Sequence, residues 1–176
     1  MTERSGRLST MLWLRGIVFS VLIPGFVAVW MPQRLLGSKA LQGGPWTAGW
    51  LLVDGGTAVY LWCLLSFLAA HGTPAIFFTR PLRALLGEEP QALVRGGLYR
   101  YSRNPMYVGM LGIVFGQAIL YASRSVAVYG VSLAACFHLV VTLIEEPHLR
   151  RRDAESFARY RREVPRWIGL PGRIRT

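Results

Sequence analysis

A chain of 176 residues carries material for one domain, and its 52% hydrophobic content with only 16% charged residues is too apolar for an ordinary soluble one. The net charge of +11 comes mostly from arginines set beside apolar runs, which fits anionic headgroups and argues against nucleic-acid binding. Cys63 and Cys136 lie inside apolar runs without metal-ligand spacing, and His71, His138 and His148 form no zinc pattern, so no metal is expected.

In chain order, residues 1–12 are polar and basic, and the first apolar run covers about 13–31. Arg15 stands near its start, where a long side chain reaches the headgroups. Trp13 and Trp30 mark its ends as interfacial aromatics do. Pro24-Gly25 predicts a kink and also breaks any resemblance to a cleaved signal. Residues 32–47, with Pro32, Gly43-Gly44 and Pro45, read as a loop. The second run covers about 48–70 and holds Asp54, for which hydration or a hydrogen bond to a neighbouring helix is the favoured reading over catalysis.

Residues 71–105 form the longest polar segment, broken by Pro74, Pro81 and Pro90. The third run, about 106–121, is short for a span, and Pro105 suits its first turn. Gly109, Gly112 and Gly116 share one face of it, open to close approach by a ligand or by another helix. A tight turn at residues 121–124 leads into the fourth run, about 125–144, so the two form a helical hairpin. His138 within it reads as a hydrogen-bonded packing residue. In the tail, Leu149, Phe157, Tyr160 and Val164 approximate one apolar face among arginines, as an amphipathic interfacial helix would.

The expected fold class is therefore all-α: a polytopic membrane protein of about four transmembrane helices plus a C-terminal amphipathic helix. Its single domain divides into two N-terminal spans (1–70), a loop (71–105), the hairpin (106–144) and a basic tail (145–176). Seventeen of the 20 basic residues fall on the side holding both termini and the 71–105 loop, which predicts cytoplasmic N- and C-termini in a bacterial-type inner membrane.

Two stretches carry the chemistry. The first is Gly96-Gly97-Leu98-Tyr99-Arg100-Tyr101-Ser102-Arg103-Asn104-Pro105-Met106-Tyr107-Val108-Gly109. It combines backbone freedom, aromatic rings and planar cations, a set suited to a ligand with a carboxylate, a ring and a positive centre. The second is Glu145-Glu146, read as a helix end stopped by Pro147. Carboxylates there oppose the macrodipole, so a cation should compensate them, either an arginine or a charged ligand. Antiparallel packing of the last two apolar runs would bring the stretches to one membrane face.

These residues resemble the isoprenylcysteine carboxyl methyltransferase and phospholipid N-methyltransferase superfamily. The resemblance rests on Gly97-Leu98-Tyr99, Arg103-Asn104-Pro105-Met106-Tyr107-Val108-Gly109, Glu145-Glu146 and Tyr160-Arg161-Arg162-Glu163-Val164-Pro165-Arg166, in that order, across about residues 90–168. The first two runs carry no matching motif. Asn104 departs from the superfamily's histidine, and Val141 and Thr142 stand where its carboxyl-methylating members tend to carry an arginine.

The resemblance implies an S-adenosylmethionine-dependent methyltransferase, acting on a lipophilic acceptor at the cytoplasmic face and releasing S-adenosylhomocysteine. The acceptor classes are an isoprenoid or isoprenylcysteine-like carboxylate or thiol, or a phospholipid amine. The implied cofactor-binding residues are Gly97, Leu98, Tyr99, Arg103, Asn104, Pro105, Tyr107, Gly109, Glu145 and Glu146. Arg103 is the expected partner of the cofactor's carboxylate, and one glutamate that of its ammonium or ribose. Tyr160, Arg161 and Arg162 are the substrate-side candidates. No general base is compelling; His148, Tyr160 and a glutamate not held by cofactor are the candidates. The rival readings are a small membrane transport or assembly protein with a structural Glu/Arg cluster, and a basic membrane-surface scaffold. Oligomeric state is not specified by the sequence.

Overall fold

A computed structural model describes residues 13–37, 46–70 and 94–169. Every regular element among them is helical. Helix α1 is Trp13–Leu36 and α2 is Trp46–Ala69; each has 24 residues, about 36 Å of helix. Helix α3 is Pro105–Leu120, α4 is Arg124–Arg152 and α5 is Ala154–Glu163. Three of these, α1, α2 and α4, are long and apolar enough to cross a membrane, and α3 is a shorter apolar helix among them. The expected loop at 71–105 lies mostly outside the described residues.

Helices α2 and α3 pack antiparallel through their glycines. A Cβ on Gly56 would lie 2.5 Å from the Gly109 carbonyl oxygen, and one on Gly116 would lie 2.8 Å from that of Gly49. Only hydrogen at these positions lets the backbones approach so closely. The glycine stripe of α3 therefore serves helix packing. Asp54 lies on the exposed side of α2, away from this contact, and makes no hydrogen bond to a neighbouring helix among the described residues.

Two prolines correct the expected boundaries. Pro32 does not begin a loop: α1 runs through it to Leu36 and ends at Gly37, whose φ is +60°. Within α1, residues Val21–Trp30 form a π-helix, and the Met31 amide bonds back to the Phe26 carbonyl. Pro32 has no amide to offer the carbonyls four and five residues before it. Side chains from the other helices supply the donors instead. Gln117 Nε2 donates to the Ala28 carbonyl at 2.7 Å, and Tyr129 Oη donates to that of Val27 at 2.8 Å.

Pro147 likewise does not stop α4. A π-turn over Val141–Glu145, where the Glu146 amide bonds to the Val141 carbonyl, precedes the proline, and the helix continues to Arg152. Such a widened turn relieves the clash between the proline ring and the preceding turn. Glu145 and Glu146 thus sit inside a helix rather than at its end.

Helix α5 is amphipathic, as expected. Phe157, Tyr160 and Val164 are buried with Leu149 in a small core of their own. Its apolar face is covered by protein and not by lipid.

Candidate functional site

The site begins with a one-turn 3-10 helix, Gly97–Arg100. Gly97 starts it at φ +57°, and a Cβ there would meet Trp62 Nε1 at 2.7 Å, so glycine is required twice over. The turn places Tyr99 in the interior, edge-on to Phe67 with centroids 5.7 Å apart. The Leu98 carbonyl accepts the amides of Tyr101 and Ser102. Asn104 then precedes α3, and Pro105 occupies its first turn, as its fixed φ favours.

The segment after α5 lies across this entrance. The Arg103 amide donates to the Pro165 carbonyl at 2.9 Å, and Arg103 Nε donates to that of Val164 at 3.1 Å. Asn104 Nδ2 donates to the Arg166 carbonyl at 3.0 Å. Residues 164–167 thus form a strap over the start of α3.

The two expected clusters meet beneath it. Arg103 Nη1 lies 2.7 Å from Glu146 Oε1. Arg166 holds the same carboxylate with two bonds, Nε to Oε1 at 2.7 Å and Nη2 to Oε2 at 3.0 Å. Glu146 and Arg103 are nearly buried, with side chains 12% and 10% exposed. Glu145 accepts a hydrogen bond from the Tyr107 hydroxyl instead. The Tyr107 ring packs on Phe137, centroids 4.4 Å apart. So one glutamate has two cations, and no ion pair reaches the other among the described residues.

Burial pulls the Arg103 guanidinium below its ordinary pKa, with Glu146 opposing that shift. The hydrogen bonds to Glu146 push Arg166 up. Two guanidiniums on one carboxylate leave a surplus positive charge beside the carboxyl group of Glu145. A zwitterionic amino-acid group has the complementary charges.

The phospholipid methyltransferase family model matches residues 47–152, more than half of the chain. The chain belongs to the phospholipid methyltransferase family. Neither a curated protein nor a solved structure matches it. The matched region runs from α2 to the end of α4. It takes in α2, in which the sequence offered no motif, and α2 is the helix whose glycines α3 packs against. Membership of a membrane methyltransferase family, with three helices of spanning length, makes the protein an integral membrane protein.

Of the predicted residues, Arg103, Asn104, Pro105, Tyr107, Glu145 and Glu146 converge on this site. Gly97 shapes the turn, Leu98 supplies backbone acceptors, and Gly109 is buried against α2. Tyr99 is buried, with burial raising its pKa well above the ordinary range.

Tyr160 does not fit either of its expected roles. Its hydroxyl is buried and donates to the Tyr99 carbonyl at 2.7 Å, and burial raises its pKa, so it holds its proton. Arg161 and Arg162 are exposed on α5, outside the converging set. His148 is half-buried on α4, two residues past Glu146.

Arg166 is the member of this cluster that sequence reasoning left unassigned. Its signal was present in Val164-Pro165-Arg166, the last of the matched tail residues. Nothing in the linear sequence showed that the tail folds back across Arg103.

Proposed function

We propose that this protein transfers a methyl group from S-adenosylmethionine to a lipophilic acceptor at the cytoplasmic face of a bacterial-type inner membrane. The observation that carries the reading is the uneven pairing of the two glutamates, within a family of methyltransferases. Glu145 would take the cofactor's positive charge, and the surplus guanidinium of the Arg103–Glu146–Arg166 group would take its carboxylate. Tyr107 orients Glu145, and Asn104 ties the strap to the start of α3. Bound S-adenosylmethionine supplies an electrophilic methyl group.

The demand on the protein is then alignment of acceptor and donor in line, away from water. The burial of Glu146 and Arg103 supports a site partly withdrawn from solvent. Asn104 hydrogen-bonds but its amide does not accept a proton at neutral pH, so it is not the base. With Tyr160 committed to a carbonyl, His148 is the leading candidate to accept a proton from an amine acceptor.

The test is binding of labelled S-adenosylmethionine to purified protein, followed by incubation with extracted lipids and mass analysis of the labelled product. Saturable binding is expected in the wild type and loss of it in Glu145→Ala. Wild-type affinity in both Glu145→Ala and Glu146→Ala would remove the assignment. The full pairing of Glu146 favours one rival, a membrane protein in which the Glu/Arg cluster is purely structural. That rival predicts no cofactor binding at all.

A further inference from the structure

Asp54 is exposed on α2 and makes no hydrogen bond among the described residues. It lies eight residues after Trp46, the start of the helix, about 12 Å along the axis. A 24-residue helix centred in about 30 Å of hydrocarbon leaves about 3 Å outside at each end. The carboxyl group therefore sits about 9 Å inside the lipid, too deep for its short side chain to reach the headgroups. Carboxyl groups at such depths face other helices or water-filled cavities, where polar groups meet them. In one copy of this fold Asp54 faces outward instead.

The residues around it repeat at a regular interval. Leu51, Ala58 and Leu65 are spaced by seven, with Asp54 and Leu61 between them, and all five are exposed. These are the a and d positions of a heptad, the seam along which two parallel helices supercoil. The seam lies opposite Gly49 and Gly56, which face α3.

The flanks of the seam complement themselves. Trp50 takes the g position and Gly55 the e position. In a parallel pair, the g residue of one helix faces the e residue of the other. Gly55 has open space around it, with nothing within 4 Å of a Cβ placed there. The Trp50 side chain is large and exposed, and its indole N–H has no partner among the described residues. Laid over Gly55 of a second copy, the ring brings that N–H, which can only donate, beside the adjoining Asp54, whose oxygens accept. Copies inserted in one membrane share an orientation, so their α2 helices run parallel and carry Asp54 at one depth.

We propose that two copies of this chain associate in the membrane through α2, with Trp50 of each covering Gly55 and donating to Asp54 of the other. The contact is isologous: a two-fold axis along the membrane normal repeats each bond, and the dimer closes. One polar residue in an otherwise apolar seam also fixes the register. The pairing does not depend on methyl transfer.

The test is fluorescence energy transfer between donor- and acceptor-labelled full chains in phosphatidylcholine vesicles, titrated by adding lipid. Wild-type transfer should fall as lipid dilutes the protein and should fit a dimer. Asp54→Leu should weaken association about tenfold, the effect of two hydrogen bonds between helices. Asp54→Asn, which still accepts, should keep most of it. Gly55→Leu fills the space that Trp50 needs and should abolish transfer. Both positions lie outside the packed core, so the variants should keep the wild-type helical circular-dichroism spectrum. A wild type that stays monomeric at the highest protein-to-lipid ratio would overturn the proposal. So would association that is unchanged or tighter in Asp54→Leu or in Gly55→Leu.

Discussion

Arg103 and Glu146, 43 residues apart in sequence, meet at 2.7 Å where the start of α3 faces α4. Arg166 reaches the same carboxylate from the strap, so three separate segments are held by one side chain. Removing that side chain leaves two cations without their partner. Glu146→Ala should lower stability by about 3 kcal/mol. Arg166→Ala should cost less, about 1 kcal/mol, because the Arg166 side chain is 32% exposed. Thermal unfolding in detergent checks the order, and a larger loss in Arg166→Ala would contradict it.

The glycine contact makes a second prediction. Gly56→Ala or Gly109→Ala places a methyl group within 2.7 Å of the opposing carbonyl, and the helices must separate. A loss of about 2 kcal/mol or more is expected. Gly55→Ala, next in sequence but with open space around it, should be neutral or mildly stabilising. The three variants can be compared by unfolding in mixed micelles; equal behaviour at positions 55 and 56 would argue against close α2–α3 packing.

Pro32 and Gln117 form a coupled pair. Gln117→Leu removes the donor to the Ala28 carbonyl and should cost about 1–3 kcal/mol. Pro32→Ala restores a backbone amide that can serve that carbonyl. In the Pro32→Ala background, Gln117→Leu should therefore cost less. A double-mutant cycle measures the difference, and strict additivity would show that the two residues do not share the carbonyl.

Asp153 caps α5, its carboxylate accepting the Ser156 amide at 3.0 Å, and the Ser156 hydroxyl, with that amide, holds its pKa below the usual carboxylate range. A depressed folded value means that the stabilisation is present above the unfolded pKa. It is lost as pH falls through the folded value, so the window lies below about pH 4. Hydrogen exchange at the start of α5 should quicken across that window in the wild type and show less pH dependence in Asp153→Asn. A cap that survives full protonation would be inconsistent with this assignment.

The long apolar helices were legible because hydropathy reports what lipid will accept. Their ends were not legible at the prolines. Pro32 and Pro147 are local stop signals, yet α1 is carried past the first by donors from α3 and α4, and α4 past the second by a π-turn. Spacing and residue type brought Arg103, Tyr107, Glu145 and Glu146 together correctly as a group. They did not reveal which glutamate each partner would choose, since that depends on the path of the strap. Tyr160 looked chemically able for the same reason: the sequence shows its hydroxyl but not the Tyr99 carbonyl that occupies it. The apolar face of α5 was visible, while its cover, protein or lipid, was not.

The two α1 carbonyls served by other helices also bear on biogenesis. Helix α1 leaves the ribosome ahead of α3 and α4, and the side chains that serve Ala28 and Val27 are synthesised 89 and 102 residues later. Until Gln117 and Tyr129 arrive, the nascent segment holds polar points that bare hydrocarbon cannot satisfy. Helix α1 thus precedes the partners that complete it, and the insertion machinery or local water must shelter it while the hairpin is made.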